Sequence, residues 1–513
     1  MAIPGTPISH PLAGEAPAFL ARVTAAQWAE AARGVHEQGG RLVALWGADR
    51  RDAGAALSIY AAYALHDGLS ILDLHLRDNE PYPDLSGLFA CANRMQRAVH
   101  DLLGLVPEEA EDLRPWLRHD AWGPGDFPLR REFDPDAFRA NGVTAYPFVR
   151  VEGDGVHEIA VGPIHAGVIE PGHFRFSVVG EKVLRLEERL GYTHKGIDRR
   201  FGDFTVAEGY RLAGRCSGDS TVAYAWAYAQ AAESVLAVVV PPRARWLRAL
   251  MLEAERIANH LNDLGFLGND AAFGFALAQF SRLREDWLRL CNEVFGHRMM
   301  MDRIVPGGVA ADVDKKAHRR IVAATESIEA ESRDLREIFD EHSGLQDRFI
   351  TTGRVTPQLA RELGLIGLAG RASGQALDLR VDFPVEPYTR IPVKKAIHTG
   401  GDVAARVRVR FEELFESLRL VREILAGLPE GDIRVELPEP RPGAFGVGWV
   451  EGWRGEVLVA IEAGEGGRIR RAHAHDPSWQ NWPVLEHAIM GNIVPDFPLI
   501  NKSFNLSYSG EDG

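Results

Sequence analysis

Cysteine is scarce in this sequence of 513 residues. It occurs three times, as Cys91, Cys216 and Cys291. An odd and widely separated set of cysteines argues against a framework of disulfide bonds. Iron–sulfur centres usually require four thiolate ligands, so the count also argues against a metal cluster held wholly by this chain. We therefore expect any redox metal that this protein uses to be held mostly by a partner.

Long apolar runs and an excess of basic residues are also missing. The apolar stretch 235–240 is far shorter than the ~20 residues that a membrane-spanning helix needs, and the amino terminus lacks the pattern of a signal peptide. Lysine and arginine number 58 against 72 aspartate and glutamate residues, a poor match to nucleic-acid binding. Walker, zinc-protease and Rossmann motifs are absent from the sequence. We expect a protein of the cytosol or of the cytosolic side of a membrane.

The first part of the chain has the pattern of a small α/β unit. Helical and strand patterns alternate over roughly the first 140 residues, with strand candidates at 41–46 and 69–76. A segment rich in proline and glycine at 122–128 indicates that a boundary follows. We predict one domain at 1–145 and a second at 146–513.

The second predicted domain begins with strands and continues with helices. Strand candidates at 157–169 and 174–179 surround a Glu-Pro-Gly turn, and a largely apolar helix from 221 to 240 should be buried. After residue 461 the tail has no regular pattern. The predicted fold class is α+β, with a small amino-terminal α/β domain followed by a mostly helical domain that opens on a β-hairpin.

Polar residues cluster in the predicted hairpin. Two histidines, a glutamate and an arginine, namely His165, Glu170, His173 and Arg175, lie among glycines and prolines. Such a loop can hold titratable groups over a cavity, where burial adjusts their pKa values for proton transfer. The same residues suit a hairpin tip whose polar groups are solvated, and composition alone slightly favours this second interpretation.

A second cluster, residues 211–220, precedes the apolar helix. Asp219 and Ser220 are good N-cap residues for that helix, and capping alone would explain them. Capping does not explain two arginines beside a thiol. If Arg211 and Arg215 face Cys216, they lower the pKa of its thiol and make it nucleophilic.

Three further features are ambiguous by themselves. His260 lies on a predicted helix, where a single histidine is more often packed and hydrogen-bonded than a ligand. The segments 371–374 and 451–456 carry arginines among small residues. None of the three defines a site alone.

In combination, several separated motifs indicate a family. They are GPIHAGVIEPGHFRF, LGYTHKGIDRRF, ERIANHLNDLG, RASGQALDLR, EGWRGE and NIVPDFPLINKSF, in this order. Together they resemble the large subunit of group 4 membrane-bound NiFe hydrogenases and its relative, the quinone-site (49-kDa-type) subunit of respiratory complex I. The resemblance covers residues 155–513. The earlier segments MQRAVHDLLGLVP and FPLRREF are similar to the 30-kDa-type accessory subunit of complex I, fused here as in the large subunit of formate hydrogenlyase.

The sequence departs from the hydrogenases at the metal ligands, which in that family are two Cys-x-x-Cys pairs. The first pair corresponds to 213–216, where Ala213 replaces one thiol and Cys216 keeps the other. The second falls within 505–510, which reads Asn-Leu-Ser-Tyr-Ser-Gly. Nickel and iron in that site need soft thiolate ligands. We therefore predict that this chain binds no NiFe centre, and we assign it no metal ligand.

In complex I the vacated metal cavity is a quinone pocket, and the resemblance implies one here. The residues implied as catalytic are His165, Glu170, Asp219 and Cys216. Those implied in binding the acceptor are His173, Arg175, Arg211, Arg215, Ser220, His260 and Ser507. The first group would donate protons and hydrogen bonds, and Arg211 and Arg215 would stabilise negative charge on a head group. The complex I pattern His-x-x-x-His is missing, since Ile169 lies four residues after His165, which leaves the acceptor open.

The resemblance implies a redox subunit of a membrane-associated, complex-I-like oxidoreductase. No cofactor would be bound by this chain alone. Electrons would come from an iron–sulfur cluster on a partner of the hydrogenase small-subunit type, and a quinone is the candidate acceptor. Ion-pumping membrane subunits would hold the chain at the cytoplasmic side of the inner membrane. Two alternatives stay open: a non-catalytic scaffold, and a reductase of sulfur compounds that uses Cys216. The ligand count disfavours an active hydrogenase.

Overall fold

The computed structural model describes five stretches of the chain, residues 9–54, 56–77, 80–136, 145–166 and 169–513. It consists of an amino-terminal sheet with two helices and a larger, mainly helical part with two three-stranded sheets. The predicted α+β class is confirmed. The predicted boundary between residues 145 and 146 adjoins residues 137–144, which lie outside the described residues, and it stays a prediction.

The amino-terminal sheet has five strands in the order β1-β2-β5-β4-β3. They are β1 (His10–Pro11), β2 (Ala18–Val23), β3 (Arg41–Asp49), β4 (Leu57–Leu65) and β5 (Gly68–Leu76). Strands β2 and β5 are parallel, and the other neighbours are antiparallel. The two helices are α1 (Ala25–Glu37) and α2 (Ala92–Leu103). A short parallel pair, β6 (Tyr82–Pro83) and β7 (Pro107–Glu108), follows the sheet.

The larger part begins with an antiparallel sheet and is then mainly helical. The sheet comprises β8 (Val156–Val161), β9 (His173–Val179) and β10 (Lys182–Arg189). The helices after it are α3 (Ile197–Arg200), α4 (Tyr210–Ala213), α5 (Thr221–Leu236), α6 (Pro242–Asp270) and α7 (Gly274–Phe295). A two-stranded ladder, β11 (Ile304–Val305) and β12 (Gly308–Val309), precedes α8 (Lys315–Glu341), α9 (Ser343–Phe349), α10 (Pro357–Glu362), α11 (Gly367–Ala372), α12 (Leu379–Asp382) and α13 (Val403–Gly427).

A last antiparallel sheet and three helices close the described chain. The strands are β13 (Phe445–Glu451), β14 (Glu456–Ala463) and β15 (Ile469–His475). The helices are α14 (Ser478–Ala488), α15 (Phe497–Phe504) and α16 (Tyr508–Asp512). The irregular tail expected after residue 461 is therefore wrong. Short helices carry too few turns for a periodic sequence signal, and tertiary contacts stabilise them.

The amino-terminal sheet is buried on both faces. One face packs against α1 and α2, and the other packs against side chains of β13 and β14. A strand buried on both sides needs no polar alternation. This explains the uniformly buried β4, a strand that alternation does not predict.

The predicted buried helix forms the centre of the larger part. All residues of α5 are buried, and strand β13 lies so close that a side chain at Gly448 would overlap the Ala227 carbonyl. Glycine there and alanines on α5 permit this approach. The helix ends at Leu236, earlier than predicted, because Ala237 takes a left-handed conformation with φ 51°. Among the described helices, none has the length and apolar character of a membrane span.

Candidate functional site

The loop between β8 and β9 contacts the last helix, α16. The Tyr508 hydroxyl lies 3.4 Å from Nε2 of His165, and the backbone N–H of Ser509 donates to Glu170 Oε2 at 3.0 Å. Two predicted residues of the hairpin thus meet a segment that is more than 330 positions away in sequence. Residues 167–168 of the loop lie outside the described residues.

Tyr508 is held with its hydroxyl directed toward this loop. Asn501 Nδ2 donates to the hydroxyl oxygen at 3.2 Å, which leaves the hydroxyl hydrogen for His165 or for a bound molecule. A side chain at Gly172 would lie 2.6 Å from the tyrosine ring, so glycine permits the close packing. Burial raises the pKa of Tyr508 and lowers that of His165. The neutral forms of both groups are therefore favoured near neutral pH.

A second polar group lies at the amino-terminal end of α5. Two guanidinium nitrogens of Arg454 donate to the two carboxylate oxygens of Asp219, with an NH1–Oδ1 distance of 2.8 Å. The hydroxyls of Ser217 and Ser220 donate to the same carboxylate at 3.0 and 3.2 Å. Burial alone would raise the pKa of Asp219, but Arg454 and these hydroxyls more than offset it, and the pKa is lowered.

The two polar groups are joined through Ser507. Its hydroxyl shares a hydrogen bond of 2.9 Å with the hydroxyl of Ser217 and accepts from the Gly510 N–H at 2.9 Å. Because Tyr508 follows Ser507 directly, one continuous surface carries Asp219, Ser507 and Tyr508. The structure thus brings together five predicted site residues, His165, Glu170, Asp219, Ser220 and Ser507.

Cys216 has a different environment from the predicted one. Its side chain is buried at 3% exposure, and burial raises the pKa of its thiol, which Lys195 offsets only in part. The expected activation by Arg211 and Arg215 is therefore wrong. Arg215 instead forms a two-nitrogen ion pair with Asp302, both N–O distances being 2.8 Å, and Arg211 lies exposed beside Tyr210.

Three other predicted residues have partners away from this surface. Arg175 donates to Glu158 at 2.8 Å and lies over the Phe148 ring. Nδ1 of His173 lies 3.3 Å from the Gly162 carbonyl. His260 is fully buried 3.1 Å from Glu413. A role for these three in binding an acceptor stays a prediction.

Two residues of this surface were not predicted. Arg454 lies in the quoted EGWRGE motif, and Tyr508 lies in the segment where the hydrogenase thiols are replaced. The signal for both was their place in family motifs. Their partners could not be predicted, because Asp219 and His165 lie hundreds of positions away.

The described residues fit a NiFe centre poorly. Cys216 is the only thiol at the positions that correspond to the family's cysteines. A side chain at Gly510 would lie 2.5 Å from the Asp476 carboxylate, which itself accepts from the Tyr224 hydroxyl at 2.8 Å. In the described part of the chain, no three histidine, cysteine, aspartate or glutamate side chains are grouped to hold a metal ion.

Comparison with known proteins places the chain in a family. The sequence model of the respiratory-chain NADH dehydrogenase 30 Kd subunit matches residues 21–139, and that of the 49 Kd subunit matches 271–444. Formate hydrogenlyase subunit 5 of Escherichia coli (strain K12) is 30% identical, over 93% of this chain and 85% of its own length. This chain belongs to the formate hydrogenlyase subunit 5 family. The resemblance inferred from the sequence motifs is confirmed.

Other members and relatives of the subunit 5 family differ in activity, as their names state. The carbon monoxide-induced hydrogenase of Rhodospirillum rubrum is 29% identical over 68% of this chain and 97% of its own. The fused C/D subunit of the NADH-quinone oxidoreductase of Bacteroides thetaiotaomicron is 26% identical over 75% of this chain and 77% of its own. This chain is therefore a hydrogenase-related, complex-I-like subunit, and its family alone does not determine the reaction.

A solved structure shares its fold with most of this chain. It belongs to the membrane-bound sulfane sulfur reductase, an archaeal respiratory membrane complex, and superposes with a TM-score of 0.66. The match covers 70% of this chain and 99% of that chain at 24% identity. At this identity the comparison supports the fold alone.

Proposed function

We propose that this chain passes electrons from an iron–sulfur cluster on a partner subunit to a quinone-type acceptor. The acceptor head group would lie between the β8–β9 loop and α16. The observation that carries the proposal is the pair formed by Tyr508 and His165. A phenol and an imidazole side by side can donate hydrogen bonds to a quinone carbonyl and deliver protons as it is reduced.

The ion pair of Arg454 and Asp219 would form the inner wall of this site. Because Asp219 accepts from Arg454 and from two serine hydroxyls, the pair is fixed before an acceptor binds. Fixed charges and dipoles stabilise charge that develops during a reaction without a cost of reorganisation. In the proposed role Arg454, rather than the exposed Arg211 and Arg215, supplies the positive charge.

The family supports the proposed partners. Relatives are named as subunits of formate hydrogenlyase and of NADH-quinone oxidoreductase. On this basis we propose an iron–sulfur subunit of the hydrogenase small-subunit type as electron donor. We also propose ion-pumping membrane subunits, which would hold the chain at the cytoplasmic side of the membrane and couple electron transfer to ion translocation.

The test is anaerobic reoxidation of the intact complex. The iron–sulfur signal is reduced, a soluble quinone is added, and the rate of reoxidation is followed by electron paramagnetic resonance. We expect fast reoxidation in the wild type and in His157→Ala, a histidine on the exposed β8 strand. We expect it to slow by roughly a hundredfold in Tyr508→Phe and in His165→Ala. A wild type that quinone does not reoxidise contradicts the proposal.

The alternatives predict other outcomes of the same assay. A reductase of sulfur compounds would be reoxidised by polysulfide and would lose this reaction in Cys216→Ala. A scaffold would transfer electrons to neither compound, whichever of these residues is changed. Burial of Cys216 and the raised pKa of its thiol speak against the sulfur reaction at this residue.

A further inference from the structure

Three neighbouring carboxyl side chains lie behind the proposed site and are not part of it. Glu188 on β10 is 1% exposed and Glu511 on α16 is fully buried. Nearby, Glu486 on α14 is partly exposed, with 24% of its side chain accessible. These three residues link the interior beside Tyr508 to the surface of the molecule.

A single arginine, Arg94, interacts with all three carboxyls. Arg94 NH2 donates to Glu188 Oε2 at 3.1 Å and to Glu486 Oε1 at 2.8 Å, and its charge also acts on Glu511. The backbone N–H of Glu188 donates to the same Glu486 oxygen at 2.9 Å. Asp476 and Asp512 add further negative charge around Glu511. Carboxylates that share a single cation in a buried place cannot all be ionised.

Three carboxyl oxygens of this group have no donor within hydrogen-bond geometry among the described residues, although the Trp116 indole is near enough to Glu511 to lower its pKa. They are Oε1 of Glu188 and both oxygens of Glu511. A buried carboxylate without donors is strongly disfavoured, whereas a protonated carboxyl is not. Burial raises the pKa of both groups well above the ordinary value, and for Glu511 the charge of Arg94 and the Trp116 indole offset only part of that rise.

Glu511 also borders a cavity between the two parts of the chain. The cavity has a volume of about 50 Å³ and is walled by α2, β3 and β15, with His194, His473 and Asp512 at its polar end. Nε2 of His473 has no partner among the described residues. The cavity is lined mainly by apolar side chains, and its volume leaves room for water beside the polar residues that border it. Glu511 thus borders an internal space at the junction of the two parts of the chain.

We propose that Glu188 and Glu511 form a proton-holding pair that exchanges protons between solvent at Glu486 and the Tyr508 hydroxyl. Glu188 is close enough to Tyr508 for its charge to act on the phenol. The relay rests on the proposed function: two electrons from the partner's cluster and two protons convert a quinone to a quinol. Each proton that Tyr508 gives to the acceptor is replaced from the pair, which regains it from solvent through Glu486.

The first test needs no acceptor. Infrared spectra of the full chain at neutral pH are compared between the wild type and Glu188→Gln and Glu511→Gln, which keep the side-chain shape. We expect at least one of these variants to lose a protonated carboxyl band that shifts in deuterium oxide. The matched control is Glu187→Gln, a buried neighbour on β10 that accepts from its own Arg114 at 2.6 Å. If neither variant loses a band, the proposal is wrong.

The second test measures the relay in the intact complex. Reoxidation by quinone should slow by about tenfold or more in Glu188→Gln and Glu511→Gln, with an increased solvent deuterium effect, and should be unchanged in Glu187→Gln. Wild-type rates in both variants would overturn the relay. If quinone does not reoxidise even the wild type, the proposed function fails, and the infrared result alone decides whether the pair holds a proton.

Discussion

Arg454 and Asp219 form a two-nitrogen ion pair at the amino-terminal end of α5. Arg454 lies in the turn between β13 and β14, and Asp219 lies just before α5, 235 positions away in sequence. Arg454 also donates to the Asn505 carbonyl at 2.5 Å, so the pair connects the start of α5 to the terminal segment.

Breaking this pair should destabilise the protein. Asp219→Asn leaves the buried guanidinium of Arg454 without its counter-charge, and loss of one partner of a buried pair costs several kcal/mol. Because 34% of the Asp219 side chain is accessible to solvent, we expect a smaller loss of about 2 kcal/mol. Chemical denaturation measures it. The exposed pair of Arg215 and Asp302 is the control, and Asp302→Asn should cost under about 1 kcal/mol. Equal costs would contradict this account.

The three thiols should be unreactive in the folded protein. Cys91, Cys216 and Cys291 are all buried, and burial raises the pKa of Cys91 and Cys291 to about 12 and that of Cys216 further. Only the thiolate reacts rapidly. We expect a maleimide to label the native chain slowly at neutral pH and to label all three cysteines after denaturation. Rapid native labelling of Cys216 would instead favour the thiol alternative.

Gly510 should tolerate no side chain. A Cβ at this position would lie 2.5 Å from Asp476 Oδ2, and overpacking of this kind costs about 1–3 kcal/mol. Gly510→Ala should therefore lower the free energy of unfolding by that amount. The cost should shrink in an Asp476→Ala background, since the two residues are in contact. Gly202→Ala, where the added Cβ meets open space, should be nearly neutral. If the losses of stability caused by Gly510→Ala and Asp476→Ala simply add in the double variant, the crowding does not exist.

Glu255 should give stability a measurable pH dependence. It accepts from the Val222 and Ala223 N–H groups, yet burial raises its pKa to about 8. A carboxyl with a raised pKa keeps its proton in the folded state after the unfolded chain has lost it. Stability from this group is therefore full below about pH 4.5 and is lost as pH rises to about 8, by up to about 1.4 kcal/mol per unit.

Glu255→Gln removes this titration. Its free energy of unfolding, measured by urea denaturation at several pH values, should fall less than that of the wild type between pH 5 and 8. Glu208→Gln, at an exposed position, should follow the wild type. Parallel curves for Glu255→Gln and the wild type would mean that Glu255 is ionised throughout this range.

The sequence predicts the fold class, the family and most long elements of this chain. Alternation, apolar periodicity and motif order are local signals, and they indicate β3, β5, α5 and α6. Strand β4 lacks alternation because both of its faces are buried. The short helices α14 to α16 lack a periodic pattern, and their contacts with distant residues determine them. Local patterns cannot predict either case.

The regions of the chain that form the candidate site could be predicted from the sequence, but the partners of their side chains could not. The hairpin and the segment before α5 were both identified, and His165, Glu170 and Asp219 lie on the candidate surface. Arginine near a thiol in sequence suggested activation of Cys216, yet Arg215 is directed to Asp302 on a later loop. Which arginine lies beside Asp219 depends on a contact across the fold, and Arg454 is the one for which we propose the charge-stabilising role.

The most direct measurement is a double-variant cycle on His165 and Tyr508 in the anaerobically reduced complex. Reoxidation of the iron–sulfur signal by a soluble quinone is timed for the wild type, His165→Ala, Tyr508→Phe and the double variant. If the two residues act as one pair, the double variant is no slower than the slower single variant. If the slowing factors of the two single variants multiply in the double variant, or if all four rates are equal, a quinone site built on this pair is contradicted.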